Sequence, residues 1–197
     1  MAGKGAKDKL LEAAKELFYT GGIHATGIDK VIETAGVTRM TLYKYFPSKD
    51  DLILAVVELK SREVLEQTRM RVDAAPGNAG DKIMALFKIL QQFTDDAGFC
   101  GCPFTNAVAE YSDPSHPVHA AAAKHTEAAR GYLTELCRSA GAKEPDLLAD
   151  QLSILLKGAV VLKALEGSCQ VVRAARAAAV VLITAQGVEL SEETLGA

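Results

Sequence analysis

The chain has 197 residues, 49% of them hydrophobic and only 6% aromatic, with no Trp and a formal net charge of −3. This length gives a sizeable core and one or two domains, and the apolar content excludes a disordered chain. The dominance of Ala, Leu and Val favours helix, so the expected class is all-α.

From residue 7 to 20, Leu10, Leu11, Ala14, Leu17 and Phe18 recur at helical spacing, and Gly21-Gly22 supplies a stop. Thr26 leads into a helix of about two turns, in which Ile28, Val31, Ile32 and Ala35 form a stripe closed by Gly36. Thr38 stands as the N-cap of a third helix with Leu42 and Phe46 as its buried positions, and Pro47 ends it. Ser48 caps a fourth helix, from residue 49 to about 74, with Asp50 and Asp51 complementing its dipole. After "APGNAG" a fifth helix covers about 81–97, with Ile83, Met84, Phe87, Leu90 and Phe93 as its stripe. A short sixth ends near Tyr111, and the seventh, eighth and ninth run about 118–140, 145–165 and 171–186. The expectation is about nine helices, divided into a head, 1–48, and a body, 49–197.

The opening "MAGKGAKDKLLEAAKEL" is basic and then amphipathic, unlike a secretory leader, and the uncharged apolar stretch 177–185 is far shorter than a membrane span. A cytoplasmic protein is expected, with no membrane partner and no cofactor. Residues 1–50 hold 8 Lys/Arg against 6 Asp/Glu, and the remainder 14 against 19, so the head is basic and the body acidic. Such an imbalance gains meaning only where the basic groups share a surface.

The second and third helices, joined at "AGVT", have helix-turn-helix spacing, with Gly36 permitting the sharp turn. The third carries Arg39, Met40, Thr41, Tyr43, Lys44 and Tyr45, and Lys49 follows at the next helix start. Arg39 can reach guanine O6 and N7, Met40 a thymine methyl, and the hydroxyls and lysines phosphate oxygens. The alternative is a three-helix packing unit with a polar outer face.

"TGIDKVIETAGVTRMTLYKYFPSKDDLI", residues 26–53, resembles the DNA-binding segment of TetR-type transcriptional repressors, a likeness that covers about residues 7–56. The resemblance implies a homodimer whose two recognition helices enter successive major grooves of a near-palindromic operator. It implies bases for Arg39 and Met40, and backbone phosphates for Thr26, Thr41, Tyr43, Tyr45 and Lys49; Lys44 is open, and Thr38 belongs to the same surface. It also implies dimerisation through the eighth and ninth helices, which "QLSILLKGAVVLKAL" and "VVRAARAAAVVLITA", apolar and rich in Ala, support independently. The fourth to seventh helices would hold a small-molecule inducer, with Phe87, Leu90, Phe93, Cys102, Phe104, Asn106 and Tyr111 as candidate contacts. Ordinary core packing is the competing account of each apolar one.

"GFCGCPFTN", residues 98–106, leaves several readings. Four cysteines are too sparse for a disulfide scaffold, and a Cys100–Cys102 bridge is strained. A metal site from Cys100, Cys102, His116, His119 and His125 lacks finger spacing, so none is expected. A thiol enzyme using Cys102 with His116 or His125 as base is a different functional class, and the expectation is that the protein is not an enzyme. With Pro103 opening the sixth helix, Cys102 is its N-cap, where a dipole-stabilised thiolate would sense oxidants or electrophiles, and the resemblance extends to TetR-type proteins with Gly-Cys at this place; the competing account makes Cys102 a small cap or pocket wall and Cys100 a buried apolar residue. Cys137 and Cys169 read as packing residues.

Overall fold

The computed structural model describes residues 5–196 and places ten α-helices, and no strand, among them. They are α1 (Ala6–Gly21), α2 (Ile28–Ala35), α3 (Arg39–Tyr45), α4 (Lys49–Asp73), α5 (Ala79–Thr94), α6 (Pro103–Glu110), α7 (Pro117–Ser139), α8 (Pro145–Glu166), α9 (Gln170–Ala185) and α10 (Glu192–Gly196). The nine expected helices are present. The tenth, five residues long, is too short to show an apolar period; its first turn forms because the Ser191 hydroxyl accepts the Thr194 N–H at 3.2 Å. α5 begins two residues before its expected start because Asn78 and Asp81 form a capping box: the Asn78 side chain accepts the Asp81 N–H at 3.0 Å and the Asp81 carboxylate the Asn78 N–H at 2.8 Å.

The helices form two compact units that do not follow chain order. One runs to Glu63 and takes in Pro103–His125; the other holds Val64–Cys102 and the chain from Thr126 onward. In the first, α1, α2 and α3 pack together around Leu10, Ala14, Phe18, Val31 and Leu42, all buried. Gly36 closes α2 in the left-handed region, φ 63°, where a side chain would be strained. α4 adds buried Leu52, Ile53, Val56 and Val57, and α6 adds Phe104 and Ala107. Lys15 of α1 ties to Glu63 of α4, its ammonium donating at 3.0 and 3.1 Å.

In the second unit the core is Ile83, Met84, Phe87 and Leu90 of α5, Leu133 and Cys137 of α7, Leu148, Leu152, Ala159 and Val160 of α8, and Val172, Ala175, Ala179 and Ile183 of α9. Small residues on α9 let it lie close to both α5 and α8. Asp81 is 5% exposed and fastens the segment after α9, its carboxylate accepting the Ser191 N–H and hydroxyl, each at 3.0 Å. Burial opposes its charge, but bonds from Thr194, the Ser191 and Asn78 N–H groups and the Ser191 hydroxyl outweigh that and hold the carboxyl below its usual range. A carboxyl depressed by folding adds stability above its unfolded pKa, and that part is lost as pH falls through the folded value.

One residue earlier the chain tolerates no side chain: a Cβ on Gly80 would stand 2.2 Å from the Glu189 carbonyl oxygen. Gly80→Ala must therefore push α5 from the segment after α9, and is expected to destabilise the protein by about 1–3 kcal/mol, read as a lower urea midpoint.

Candidate DNA-binding surface

α3 is seven residues long and amphipathic by its placement of two anchors. Leu42 and Phe46, one turn apart, are 0% and 3% exposed. Thr38 caps the helix, its hydroxyl oxygen accepting the Thr41 N–H at 3.1 Å and meeting the Thr41 hydroxyl at 2.9 Å. With the anchors inward, Arg39, Met40, Tyr43 and Lys44 fall on one outer strip, since each of the pairs 39/43 and 40/44 is four residues apart. Met40 is 83% exposed, Tyr43 42% and Tyr45 39%. The Lys44 ammonium sits 5.9 Å from the Tyr45 ring centroid, within cation–π range.

Three expected contact residues have protein partners that spacing does not reveal. The Arg39 guanidinium is ion-paired with Asp29 of α2, both side chains well exposed. Lys49 donates to the His24 carbonyl at 3.3 Å. Thr26 is 7% exposed, and its hydroxyl donates inward to the Gly22 and Leu17 carbonyls at 2.7 and 3.2 Å. Its side chain therefore shapes the α1–α2 loop.

That loop is held by Glu110, whose long-range contacts no motif in the sequence marks. The Glu110 carboxylate, at the end of α6, accepts the backbone N–H groups of Ile23 at 2.8 Å and His24 at 2.6 Å. The His24 ring donates from Nε2 to the Glu110 carbonyl at 2.9 Å. The neighbouring Tyr111 ring lies 4.8 Å from that of His24 and 4.4 Å from that of His116, and its hydroxyl donates to Asp50 at 2.9 Å. Burial, the bond to Asp50 and the charges of Asp50 and Glu110 push the Tyr111 phenol well above its usual range, so it stays a donor. His119 donates from Nδ1 to the Tyr111 carbonyl at 2.7 Å.

The candidate ligand contacts divide. Phe87 and Leu90 are core residues of the second unit, and Phe93 and Cys102 pack against that core, Phe93 edge-on to Phe99. Phe104 and Asn106 lie in the first unit, lining a cavity of about 720 Å³ with Phe18, Ile53, Val57 and Lys60. Tyr111 stands in the histidine cluster just described.

All four cysteines are thiols. α6 does begin at Pro103, right after Cys102, but Cys102 is half-buried. Cys137 is fully buried, and burial pushes its thiol up to about 11. Cys169, expected to pack, is exposed, and so is Cys100. Among the described residues no three His, Cys, Asp or Glu converge as metal ligands, and no helix is long and apolar enough to cross a membrane.

Removing the Glu110 carboxylate leaves two backbone donors without their acceptor. Glu110→Ala is expected to cost about 1–3 kcal/mol, and hydrogen exchange should accelerate at the Ile23 and His24 amides before it does in α8. Uniform acceleration across the chain would deny it a local role.

Two family descriptions match successive parts of the chain. Residues 10–56 match the family described as "Bacterial regulatory proteins, tetR family", and residues 79–179 match "Tetracyclin repressor-like, C-terminal domain". The TetR-family transcriptional regulator SCO4454 of Streptomyces coelicolor is 34% identical, over 92% of this chain and 95% of that one, with a TM-score of 0.86. The reduced form of Escherichia coli NemR is 23% identical over 88% of this chain and 94% of its own, with a TM-score of 0.81. The HTH-type transcriptional regulator YjdC of Escherichia coli is 24% identical over 77% of this chain and 80% of its own. A helix-turn-helix head and a helical C-terminal part, each matched by its own family description, identify the chain as a transcriptional regulator of the TetR family.

Proposed function

We propose that the protein is a repressor that binds a palindromic operator as a homodimer through α3 and is released by a small apolar molecule. The observation that carries the DNA-binding part is the exposure of Met40, 83%, beside Arg39, Tyr43 and Lys44 on a helix whose opposite face is fully buried. A large apolar side chain amid cationic and hydroxyl groups suits a major groove, where a thymine methyl lies among base-edge acceptors and flanking phosphates. The Arg39–Asp29 pair is no barrier, because an exposed ion pair is worth only about 0–1 kcal/mol. Thr38 and Thr41, tied together at the start of α3, with Tyr43, Tyr45 and Lys49, are the proposed phosphate-side groups. Thr26 keeps a backbone role.

Dimerisation through α8 and α9 is supported by what they leave uncovered. On α8, Leu147, Ile154 and Val161 recur at seven-residue spacing and are 46%, 70% and 43% exposed; Leu165 of α8 and Val181 of α9 are also exposed. That stripe is the pattern of a helix packed against a second helix. For the releasing molecule, the cavity at Phe104 and Asn106 has an apolar floor and a volume within the usual ligand range. Release through Cys102 has less support, since that thiol is packed against the core of the second unit.

A mobility-shift assay with the DNA upstream of the protein's own gene tests the class, and the expected result is salt-sensitive binding to one palindromic fragment. In that assay Arg39→Ala is expected to cost about 1–3 kcal/mol at the cognate site and to relax base preference, whereas Lys49→Ala weakens all sequences alike. Equal losses on cognate and random DNA would remove Arg39 from base reading. Ile154→Glu is expected to convert the dimer to monomer in light scattering and abolish the shift; a variant that keeps the dimer mass would place the interface elsewhere.

A further inference from the structure

We infer that Cys169 is the site at which α,β-unsaturated carbonyl compounds add to this protein, and that the adduct is an input signal of the regulator. Groups from three elements meet there. The Lys163 ammonium, on α8, donates to the Cys169 sulfur at 3.1 Å; the Cys169 S–H faces Asp95 Oδ1, at the end of α5, at 3.5 Å; and Lys163 Nζ is 3.6 Å from the same carboxylate oxygen. Together with Thr94, Phe99 and a second thiol, Cys100, they line an open cavity of about 770 Å³ that admits a small carbonyl compound.

The chemistry of the cluster fits addition to carbon. Cys169 is exposed, while the Lys163 side chain is only 11% exposed, so the ammonium is held beside the sulfur. The thiolate is the nucleophile, and a carboxylate placed to take the thiol proton and a cation placed to receive the developing oxyanion both stand within 3.5 Å of the sulfur. The bond to Cys169 is the first cause that raises Lys163 above its ordinary pKa, so the cation persists at neutral pH. In the step, the S–H proton passes to the Asp95 carboxylate it faces, and the sulfur electron pair forms a C–S bond at the β carbon. The C=C pair moves onto the carbonyl as an enolate beside the Lys163 ammonium, and the proton returns to the α carbon. The net change is addition of S–H across C=C, with no oxidant consumed.

Of the other thiols, Cys137 is fully buried and Cys102 is packed against the core, while Cys100 is exposed and shares the cavity, but the Lys163 ammonium and the Asp95 carboxylate lie against Cys169. On α8, Lys163 is two residues from both Val161 and Leu165 and so lies about 160° around the helix from each of them. An adduct breaks the ties that join the ends of α5 and α8 to the start of α9. Its effect on DNA rests on the proposed DNA-binding function; the site of addition does not.

The test uses full-length reduced protein, stoichiometric methyl vinyl ketone and peptide mass spectrometry. Cys169 is expected to carry the adduct first, with Lys163→Met slowing the reaction about tenfold and Lys163→Arg, which keeps the cation, retaining the preference. The adduct is expected to bind the upstream fragment about tenfold more weakly, while Cys169→Ser treated alike keeps its affinity. First addition at Cys100 or Cys102, a rate unmoved by Lys163→Met in a protein of unchanged circular dichroism, or an adduct that binds DNA as tightly as before would each overturn the proposal. If unmodified protein shows no salt-sensitive DNA binding, the proposed function fails, and the order of labelling still decides the site.

Discussion

Backbone N–H groups in a loop have to be paired, and in the α1–α2 loop the partner comes from 86 and 87 residues away, in the carboxylate of Glu110. One side chain thereby fixes the loop that α2 departs from, and through α2 the placement of α3. It also explains why α6 belongs with the head unit, although 29 residues of α5 and its flanking loops, 74–102, lie between α4 and α6 in the chain. Tyr111 and His119 extend the same junction, the first donating to Asp50 of α4 and the second to the Tyr111 carbonyl. The junction is made largely of charge-assisted bonds at a half-exposed site, which are directional and hold an angle better than an apolar contact does.

The two anchors of α3 follow the same logic on a smaller scale. A seven-residue helix has little stability of its own, so its existence depends on Leu42 and Phe46 reaching the core of the unit. Once they do, the remaining positions have no freedom to turn inward. An exposed Met40 is thus a consequence of where Leu42 must go, and its neighbours Arg39, Tyr43 and Lys44 are displayed with it.

Much of this was legible in the sequence where the governing contacts are local. Helix starts at Thr38 and Ser48, the stop at Gly36 and the anchors of α3 depend on residues within one turn, and spacing exposes them. The Glu110 contacts are long-range, and nothing in "NAVAEYSDP" distinguishes a carboxylate that will meet two amides from one on a solvated face. The same limit separates Phe87 from Phe104: both lie on apolar stripes, but one is core of the second unit and the other borders a cavity in the first. Cys169 reads as a packing residue because "EGSCQ" borders apolar helices, but the αL turn at Gly167 leaves it exposed, where Lys163 meets the thiol.

The Arg39–Asp29 pair bears on how selective the proposed reading of DNA can be. A guanidinium already satisfied by a carboxylate gains little by exchanging it for a single phosphate oxygen, since both are exposed anionic acceptors. It gains more where two acceptors meet its fork at once, as guanine O6 and N7 do, in a groove from which water is partly excluded. The carboxylate on α2 would then lower affinity for any duplex slightly while leaving the cognate contact nearly intact. On that account Asp29 would raise the ratio of specific to non-specific binding in the proposed function, and α2 would contribute to recognition through the charge it sets beside α3.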